Sequence, residues 1–290
     1  MSATGKPAVF TVGDLVEGLS KMFAPGNAEP WDRTGLLAGD AAAPCRRVAV
    51  ALDPTVDAVR GAQACGADVL LTHHPAYLDP PCPISPRASG GTASGAVVYE
   101  ALSCGIALVA FHTALDVSAQ AQDVLPGLLS LECTGVLEPL AHDARLGYGQ
   151  VCVPTPGEGS LTLGELAGRC VEAFGRPPRV WGDAARVVES AVTWTGSAGH
   201  APRLCLSRGI DVLVCGEVKY HEALDAASAG LALIELGHDV SELPFAAVLA
   251  DAACAAGMPR AAVTGLDQND NWTTPDIRRA EACRRHPNRS

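Results

Sequence analysis

The sequence predicts an α/β fold of two similar lobes, each with a mostly parallel sheet flanked by helices, and a cleft between the lobes. Apolar strand-like runs alternate with helical segments, a pattern typical of parallel sheets covered by helices. The alternation occurs twice along the chain, which indicates an internal repeat. In each half the last strand precedes a histidine and, four residues later, a carboxylate: His112 and Asp116, then His238 and Glu242.

The first half begins with a predicted helix at residues 11–23, where apolar side chains recur at helical spacing. A second helix is predicted at 54–66, with a proline near its start and a glycine at its end. Short apolar runs on either side of it predict buried strands at 46–53 and 67–72. A helix at 94–104 and a strand at 105–111 complete this half.

The second half repeats this order of elements. The stretch "GADVLLTHH" aligns with "GIDVLVCGE", and "CGIALVAFHTALD" aligns with "AGLALIELGHDVSE" after a shift of one residue. Its predicted strands lie at 189–196, 210–216 and 231–237, and its helices at 201–209 and 220–230. Another strand and helix, the latter around Leu163 and Leu166, come before the repeat and are assigned to this half. We therefore expect a first lobe at 1–130, a second lobe at 131–265 and a flexible basic tail at 266–290.

The composition narrows the class of protein. The 290 residues are 48% hydrophobic, which is enough for a sizeable core. The formal net charge of −11 disfavours nucleic-acid binding, but a small anionic molecule stays compatible because a metal or a helix N-terminus can reverse the local field. We find no signal-peptide core and no apolar run near the ~20 residues of a membrane helix. The eleven cysteines include no CxxC pair, so we expect reduced thiols in a cytoplasmic protein.

Two adjacent histidines, His73 and His74, follow the strand predicted at 67–72. Neighbouring side chains on a regular strand point to opposite faces, so one core histidine and one surface histidine is the simplest interpretation. At a strand end, however, the chain can turn before Pro75 and bring both rings to one cavity. Neutral imidazole is a common ligand of zinc, iron and manganese. The pair is therefore a candidate metal-binding element.

Carboxylates accompany the histidines at the other strand ends. His238 and Glu242 share one side of the chain if it turns into a helix there, and Ser241 is predicted to be the N-cap of the helix that follows. Asp116 also comes just after a strand. A carboxylate can bridge two cations while imidazoles complete each side, and such nitrogen and oxygen ligands suit zinc, iron or manganese. The alternative for His238 and Glu242 is a polar pair at a helix terminus.

Four stretches carry a family resemblance: "WDRTGLLAGD", "LLTHHPAYL", "AFHTALDVS" and "GEVKYHEALDAASAGLALIELGHDVSE". They lie in family order between residues 11 and 258, and they resemble the Nif-three-like family, also described as the dinuclear-metal-centre or type-two GTP cyclohydrolase I family. The resemblance implies a cleft for two divalent transition-metal ions between the lobes, in a homohexamer built as a trimer of dimers. The implied metal ligands are His73, His74, Asp116, His238 and Glu242.

Three further residues are expected beside this site. His112 belongs to the "HTxLD" block and would lie at the edge of the site, and His221 matches the family's "YH" at a helix start. We interpret both as residues that support the ligands or contact substrate, with a capping or surface role as the alternative for His221. Arg33 stands where the family commonly has asparagine, in "WDRTGL". The sequence after Asp116 also departs from the family pattern, so we expect substrate contacts to differ from those of relatives.

The sequence is compatible with two functions. The first is a metal-dependent hydrolase of a phosphate ester, a nucleotide or a GTP-like heterocycle, since paired cations activate water and clamp substrate oxygens. The second is a non-enzymatic, oligomeric metal-binding protein with a regulatory or scaffold role. An open coordination position that faces a cleft would favour the hydrolase. A thiol-based redox protein is disfavoured, because Cys104 and Cys215 lie in or beside strands without an electropositive neighbourhood.

Overall fold

The computed structural model describes residues 9–88, 93–157, 159–269 and 271–272, and these form two α/β lobes. The first lobe contains, in chain order, α1 (Val12–Met22), β1 (Gly35–Ala38), β2 (Val48–Ala51), α2 (Val56–Ala64), β3 (Val69–Thr72), α3 (Ser94–Cys104), β4 (Ala107–Ala110) and α4 (Thr113–Asp116). The connection to the second lobe contains α5 (Ala119–Gln122), α6 (Val124–Leu128), β5 (Leu131–Leu140) and β6 (Asp143–Pro154). The rest of the described chain contains α7 (Leu163–Phe174), β7 (Arg179–Trp181), β8 (Ala191–Ser197), α8 (Ala201–Ser207), β9 (Val212–Glu217), α9 (Tyr220–Ser228), β10 (Ala232–Glu235), α10 (His238–Glu242), α11 (Phe245–Ala255) and β11 (Val263–Gly265).

The predicted α/β repeat is visible in the topology of the two sheets. In the described chain, the first sheet has the strand order β1-β4-β3-β2-β11, and the second has β5-β6-β8-β9-β10-β7. Strands β2, β3 and β4 pair in parallel, as do β8, β9 and β10. Strands β1 and β7 are the antiparallel neighbours of β4 and β10. The unit β1-β4-β3-β2 therefore matches β7-β10-β9-β8, and the fold class predicted from the sequence is confirmed.

The repeat extends to the hydrogen bonds that start the first helix of each lobe. Thr11 and Asp14 form a capping box on α1, and Thr162 and Glu165 form the same box on α7. Each box satisfies N–H groups that a helix start otherwise leaves unpaired. The sequences "TVGDL" and "TLGEL" encode this likeness. The two lobes thus share local chemistry as well as topology, and the helix predicted at 11–23 is confirmed.

Helices cover both faces of each sheet. In the first lobe one face packs on α1 and α11, and the other packs on α2 and α3. In the second lobe α6 and α7 cover one face, and α8 and α9 cover the other. The central strands are buried along their length, which explains why they appear in the sequence as continuous apolar runs rather than alternating ones.

The hairpin β5–β6 makes the second sheet more mixed than the sequence predicted. Strand β6 pairs antiparallel with both β5 and β8, so the hairpin extends one edge of that sheet. We predicted a strand near residue 150 but no partner before it. Strand β5 contains the charged residues Glu132 and Glu138 and only two buried residues, Leu131 and Leu137, so it lacks the apolar run that reveals the central strands.

The chain returns to the first lobe after α10. Helix α11 places Phe245, Leu249 and Ala253 in the same core as α1, and β11 pairs in parallel with β2 at the edge of the first sheet. From the sequence we expected residues 131–265 to belong to the second lobe. The packing differs from that assignment, because an apolar helix and an extra strand cover a face and an edge that the first lobe would otherwise expose.

Residues 266–269 and 271–272, which we call the closing segment, also lie against the lobes. Leu266 donates its N–H to Val50 O at 2.8 Å, and Trp272 Nε1 donates to Asp239 Oδ2 at 2.8 Å. This part of the expected flexible tail therefore has defined contacts with both lobes. Its arginines, at 278, 279, 284, 285 and 289, lie outside the described residues.

Two other expectations concern helix length and thiols. Within the described residues, no helix is long and apolar enough to cross a membrane. The ten described cysteines are free thiols, and five of them are buried. Burial raises the pKa of Cys45 to about 12, which makes its thiolate unfavourable.

Replacing Phe245 tests the contribution of α11 to the first lobe. The side chain is 1% exposed, and its ring centroid lies 5.1 Å from that of His73. Phe245→Ala should lower the free energy of unfolding by about 3–5 kcal/mol, through lost burial and a residual cavity. Urea denaturation followed by circular dichroism measures this change. Val171→Ala, at a side chain that is 43% exposed, should have little effect, and equal small losses in both variants would contradict the assignment.

Candidate metal centre

Polar side chains from both lobes meet at the carboxyl ends of the parallel strands. Strand β3 leads directly into His73 and His74, and β4 leads into the short helix that ends with Asp116. From the second lobe, β10 leads into α10, which begins at His238 and ends at Glu242. Ligands of open α/β sheets bind at such strand ends. The structure therefore brings together the five residues that the resemblance named.

The nitrogen and oxygen atoms of these side chains form three overlapping groups. Within each group the potential ligand atoms lie within 4.8 Å of one another. Glu242 belongs to two of the groups, so its carboxylate lies where it could bridge two ions. The groups are His73, His74 and His112; His74, His238 and Glu242; and His73, Asp116 and Glu242.

Distances around Glu242 show how tightly the groups are packed. Glu242 Oε2 lies 3.0 Å from His74 Nε2 and 3.2 Å from His238 Nε2. His73 Nε2 lies 3.5 Å from Asp116 Oδ1 and 3.7 Å from Glu242 Oε1. Every imidazole that approaches these carboxylates does so through Nε2.

The opposite nitrogen of each imidazole, Nδ1, faces an acceptor. This arrangement fixes the rotation of the rings and leaves Nε2 to face the centre, as is usual for histidines that bind metals. The Nδ1 partners are Phe111 O for His73 at 3.2 Å, Asp53 Oδ1 for His74 at 2.7 Å, Asp32 Oδ1 for His112 at 3.0 Å and Glu217 Oε1 for His238 at 3.0 Å.

Asp32 is a residue of the site that no sequence pattern singled out. Its buried carboxylate accepts hydrogen bonds from His112 and from the backbone N–H and hydroxyl of Thr113. Burial opposes ionisation, but these bonds outweigh it and lower the pKa of Asp32 to about 2. Asp32 belongs to the "WDRTGL" stretch, so that motif contributes to the site through its aspartate, which orients His112.

The buried polar atoms at the centre that have no hydrogen-bond partner among the described residues include His73 Nε2 and Asp116 Oδ1. Buried polar atoms are nearly always paired, because an unpaired one costs about 1–3 kcal/mol. A divalent cation would satisfy both atoms. The donor set of imidazole nitrogens and carboxylate oxygens fits zinc, iron or manganese.

The electrostatics of the metal-free centre are those of a buried ion-pair network. Burial disfavours the charged form of His74, but hydrogen bonds to Asp53 and Glu242 outweigh it and raise its pKa to about 10. The hydrogen bond to Glu242 raises the pKa of His238 to about 9. Burial opposes ionisation of Glu242 too, yet the surrounding imidazoles hold its pKa well below the usual value. Burial raises the pKa of Asp116.

A glycine in strand β8, Gly196, leaves room for the Glu242 carboxylate. Gly196 has φ +60°, and a Cβ atom there would collide with Glu242 Oε1. The buried Ser241 accepts the Gly196 N–H at 2.9 Å and donates to His238 O at 2.8 Å. The prediction that Ser241 is an N-cap is therefore wrong: α10 begins at His238, after Gly237, and Ser241 lies inside it. Its hydroxyl connects α10 to the end of β8.

A cavity of about 700 Å³ opens onto the centre. Its wall contains the candidate ligands His74, Asp116, His238 and Glu242, together with His112. The other lining residues are Glu29, Trp31, Pro75, Leu78, Thr113, Glu138, Tyr148, Trp194, Thr195, Ser197, Gly199 and His200. These include aromatic rings and two carboxylates, but no lysine or arginine occurs among the described lining residues.

Two residues expected beside the site lie elsewhere. His221 is exposed on α9 against the ring of Tyr220, and it is not among the described residues that line the cavity. Arg33 is exposed and donates from Nε to Leu78 O at 2.8 Å, so it supports a residue of the cavity wall instead of lining the cavity. His112 lines the cavity.

Comparison with known proteins places the chain in a family. A family model described as DUF34/NIF3 (NGG1p interacting factor 3) matches residues 10–262. The chain belongs to the DUF34/NIF3 family. Among its curated relatives is a Streptomyces coelicolor protein named GTP cyclohydrolase 1 type 2 homolog, 31% identical over 241 residues that cover 81% of this chain and 82% of the relative. A Helicobacter pylori protein named GTP cyclohydrolase 1 type 2 is 24% identical over 244 residues, covering 83% and 90%.

Solved structures of similar fold agree with this placement in the DUF34/NIF3 family. A Staphylococcus aureus hypothetical protein matches with a TM-score of 0.81 at 20% identity, covering 92% of this chain and 99% of that one. A Bacillus cereus protein related to NIF3 matches with a TM-score of 0.79 at 20% identity, covering 94% and 100%. At these identities the likeness concerns the fold alone.

The raised histidine pKa values predict how stability depends on pH in the metal-free protein. Unfolded histidine has a pKa near 6.5, whereas His74 titrates at about 10 in the fold. Its stabilising contribution is therefore complete below pH 6.5 and is lost as the pH rises to 10. Urea denaturation with a chelator present should show a loss of a few kcal/mol (~2–4) in the free energy of unfolding across this range.

The variant Glu242→Gln removes one of the two carboxylates, with Asp53, that hold the proton on His74, and it should reduce this pH dependence. Glu172→Gln, at an exposed position of α7, is the control and should keep the slope of the native protein. If Glu242→Gln and the native protein showed the same slope, the ion pair between His74 and Glu242 would be contradicted.

Proposed function

We propose that the chain binds two divalent transition-metal ions, of zinc, iron or manganese, through His73, His74, Asp116, His238 and Glu242. The observation that supports this most directly is that Glu242 belongs to two groups of potential ligand atoms. One ion would be held by Glu242 with His74 and His238, and the other by Glu242 with His73 and Asp116. The partnerless atoms of His73 and Asp116 fall in the second set.

We further propose that the chain is a metal-dependent hydrolase acting on a phosphate ester, a nucleotide or a GTP-like heterocycle. The cavity carries this proposal, because four of the five candidate ligands form part of its wall and are reachable from solvent. A purely structural metal site would be closed by protein ligands. The names of the curated relatives support a GTP-like substrate class.

The residues of the chain would supply orientation and proton handling. A bound pair of divalent ions would activate water and withdraw charge from substrate oxygens. Asp53 and Glu217 hold the Nδ1 atoms of His74 and His238, so each ring keeps Nε2 toward the centre. His112, held by Asp32, faces the cavity and can accept or donate a proton at Nε2.

The cavity wall favours a particular orientation of substrate. The rings of Tyr148 and Trp194 stack at a centroid distance of 5.6 Å and offer a flat apolar surface to a planar group. The carboxylates of Glu29 and Glu138 repel anions, and no described lining residue is a lysine or arginine. Anionic oxygens would therefore face the metal ions, and an uncharged ring would face the aromatic side chains.

Assembly and location are further parts of the proposal. We propose a cytoplasmic homohexamer built as a trimer of dimers, with a small anionic molecule as ligand and no nucleic acid. Helix α3 exposes Tyr99 and Leu102, 40% and 53% accessible, and these apolar side chains offer surface for self-association.

Metal analysis tests the first part of the proposal. Freshly purified protein should contain about two transition-metal ions per chain, by elemental analysis, because two ligand groups share Glu242. His74→Ala and Glu242→Ala should lose most of this metal. His221→Ala, at an exposed histidine outside the cavity, is the matched control and should keep it. An absence of metal from the native protein would contradict a dinuclear centre.

An assay of substrate turnover tests the proposed hydrolase activity. A panel of phosphate esters and nucleotides, GTP included, should be assayed with Mn²⁺, Zn²⁺ and Fe²⁺. Removing Glu242 should lower hydrolysis of at least one compound by a factor of 10² or more, since it disrupts both ligand sets. Product formation equal in the native protein and Glu242→Ala, across the whole panel, would favour a metal-binding regulatory or scaffold protein over a hydrolase.

A further inference from the structure

The closing segment contacts the carboxylate that orients His74. Gln268, only 6% exposed, accepts the N–H groups of Leu52 and Asp53 through Oε1, both at 2.8 Å. Its Nε2 donates to Asp53 O at 2.9 Å. One buried side chain thus makes three hydrogen bonds to the end of β2. These bonds fix the backbone from which the Asp53 side chain extends to His74.

Further contacts of the closing segment reach both halves of the candidate centre. Asn271 Nδ2 lies 3.3 Å from Asp53 Oδ2, the oxygen that does not face His74. Trp272 Nε1 donates to Asp239 Oδ2 at 2.8 Å, and Asp239 directly follows His238. Arg176 of the second lobe stacks over the Trp272 ring at 4.3 Å and lies 3.4 Å from the same aspartate oxygen. The segment therefore contacts Asp53, the hydrogen-bond partner of His74, in the first lobe, and Asp239, the residue that follows His238, in the second.

The internal repeat shows that the end of β2 needs such a partner. By strand register, Asp53 corresponds to Gly196 in the second lobe. The N–H of Gly196 is accepted by Ser241, which lies within the helix that carries His238 and Glu242. In the first lobe this role falls to Gln268, more than two hundred residues along the chain from Asp53. In each lobe, therefore, a side chain next to the candidate centre accepts the backbone N–H group at this strand end.

We propose that Gln268 and Asn271 are positioning residues of the candidate metal centre. Gln268 and Asn271 fix Asp53, which in turn fixes the His74 ring. The inference rests on the proposed function insofar as His74 is taken as a metal ligand. Without the closing segment, the His74 ring would be free to rotate away from Glu242, and ion affinity would fall although every ligand is present.

The first test compares two buried glutamines. Gln268→Ala removes the contacts to Asp53, whereas Gln150→Ala removes a glutamine of equal burial, 6% exposed, that pairs with Thr193. Dissociation constants of Zn²⁺ and Mn²⁺ are measured by chelator competition on full-length protein. Gln268→Ala should weaken binding about 10-fold, because it releases the backbone of Asp53, and Asp53 is the hydrogen-bond partner of the candidate ligand His74. Gln150→Ala should bind as the native protein does, and equal affinity in Gln268→Ala would overturn the proposal.

The second test needs no metal. In the metal-free protein, the His74 Nδ1 proton that is held by Asp53 should give a slowly exchanging imidazole N–H signal by NMR. The signal should persist in Gln150→Ala and broaden or vanish in Gln268→Ala, with Asn271→Ala intermediate. An unchanged signal in Gln268→Ala would overturn the inference. If the native protein bound no metal while this signal responded as described, the dinuclear centre would fail and the positioning of His74 by Gln268 would stand.

Discussion

The arrangement of the two lobes depends on a buried negative charge, the carboxylate of Glu242. It is 3% exposed, and an unpaired charge at such a position would cost several kcal/mol. His73 and His74 from the first lobe and His238 from its own helix surround it. The charge is tolerated only while both lobes contribute their imidazoles. Closure of the lobes and assembly of the centre are therefore a single physical requirement.

The repeat supplies the geometry of the site but not its chemistry. Equivalent strand ends carry His74 in the first lobe and Glu217 in the second. The first is a candidate ligand, whereas the second orients His238. The two lobes thus share the same backbone arrangement and differ in the side chains at the carboxyl ends of their strands. An asymmetric centre with a shared carboxylate follows from that divergence.

The sequence was informative where physical signals are local or form a family motif. Continuous apolar runs revealed the central strands, and the quoted motifs named the five residues that converge. It gave no sign of Asp32, Asp53 or Glu217, because each aspartate or glutamate is paired with a histidine at least 21 positions away. The capping boxes at Asp14 and Glu165 follow a local pattern in "TVGDL" and "TLGEL", but we recognised them only in the structure. Strand β5 could not be predicted as a separate strand, because its polar residues interrupt any apolar run.

The return of α11 and β11 to the first sheet sets an order of events during synthesis. The sheet and helices of the second-lobe repeat unit are continuous from Leu163 to Glu235 and can assemble once that stretch has left the ribosome. The first lobe, although translated earlier, must wait for Phe245–Ala255 and Val263–Gly265 to complete its core. The older half of the nascent chain therefore finishes folding last, and a polypeptide cut short before these elements would hold an unfinished sheet.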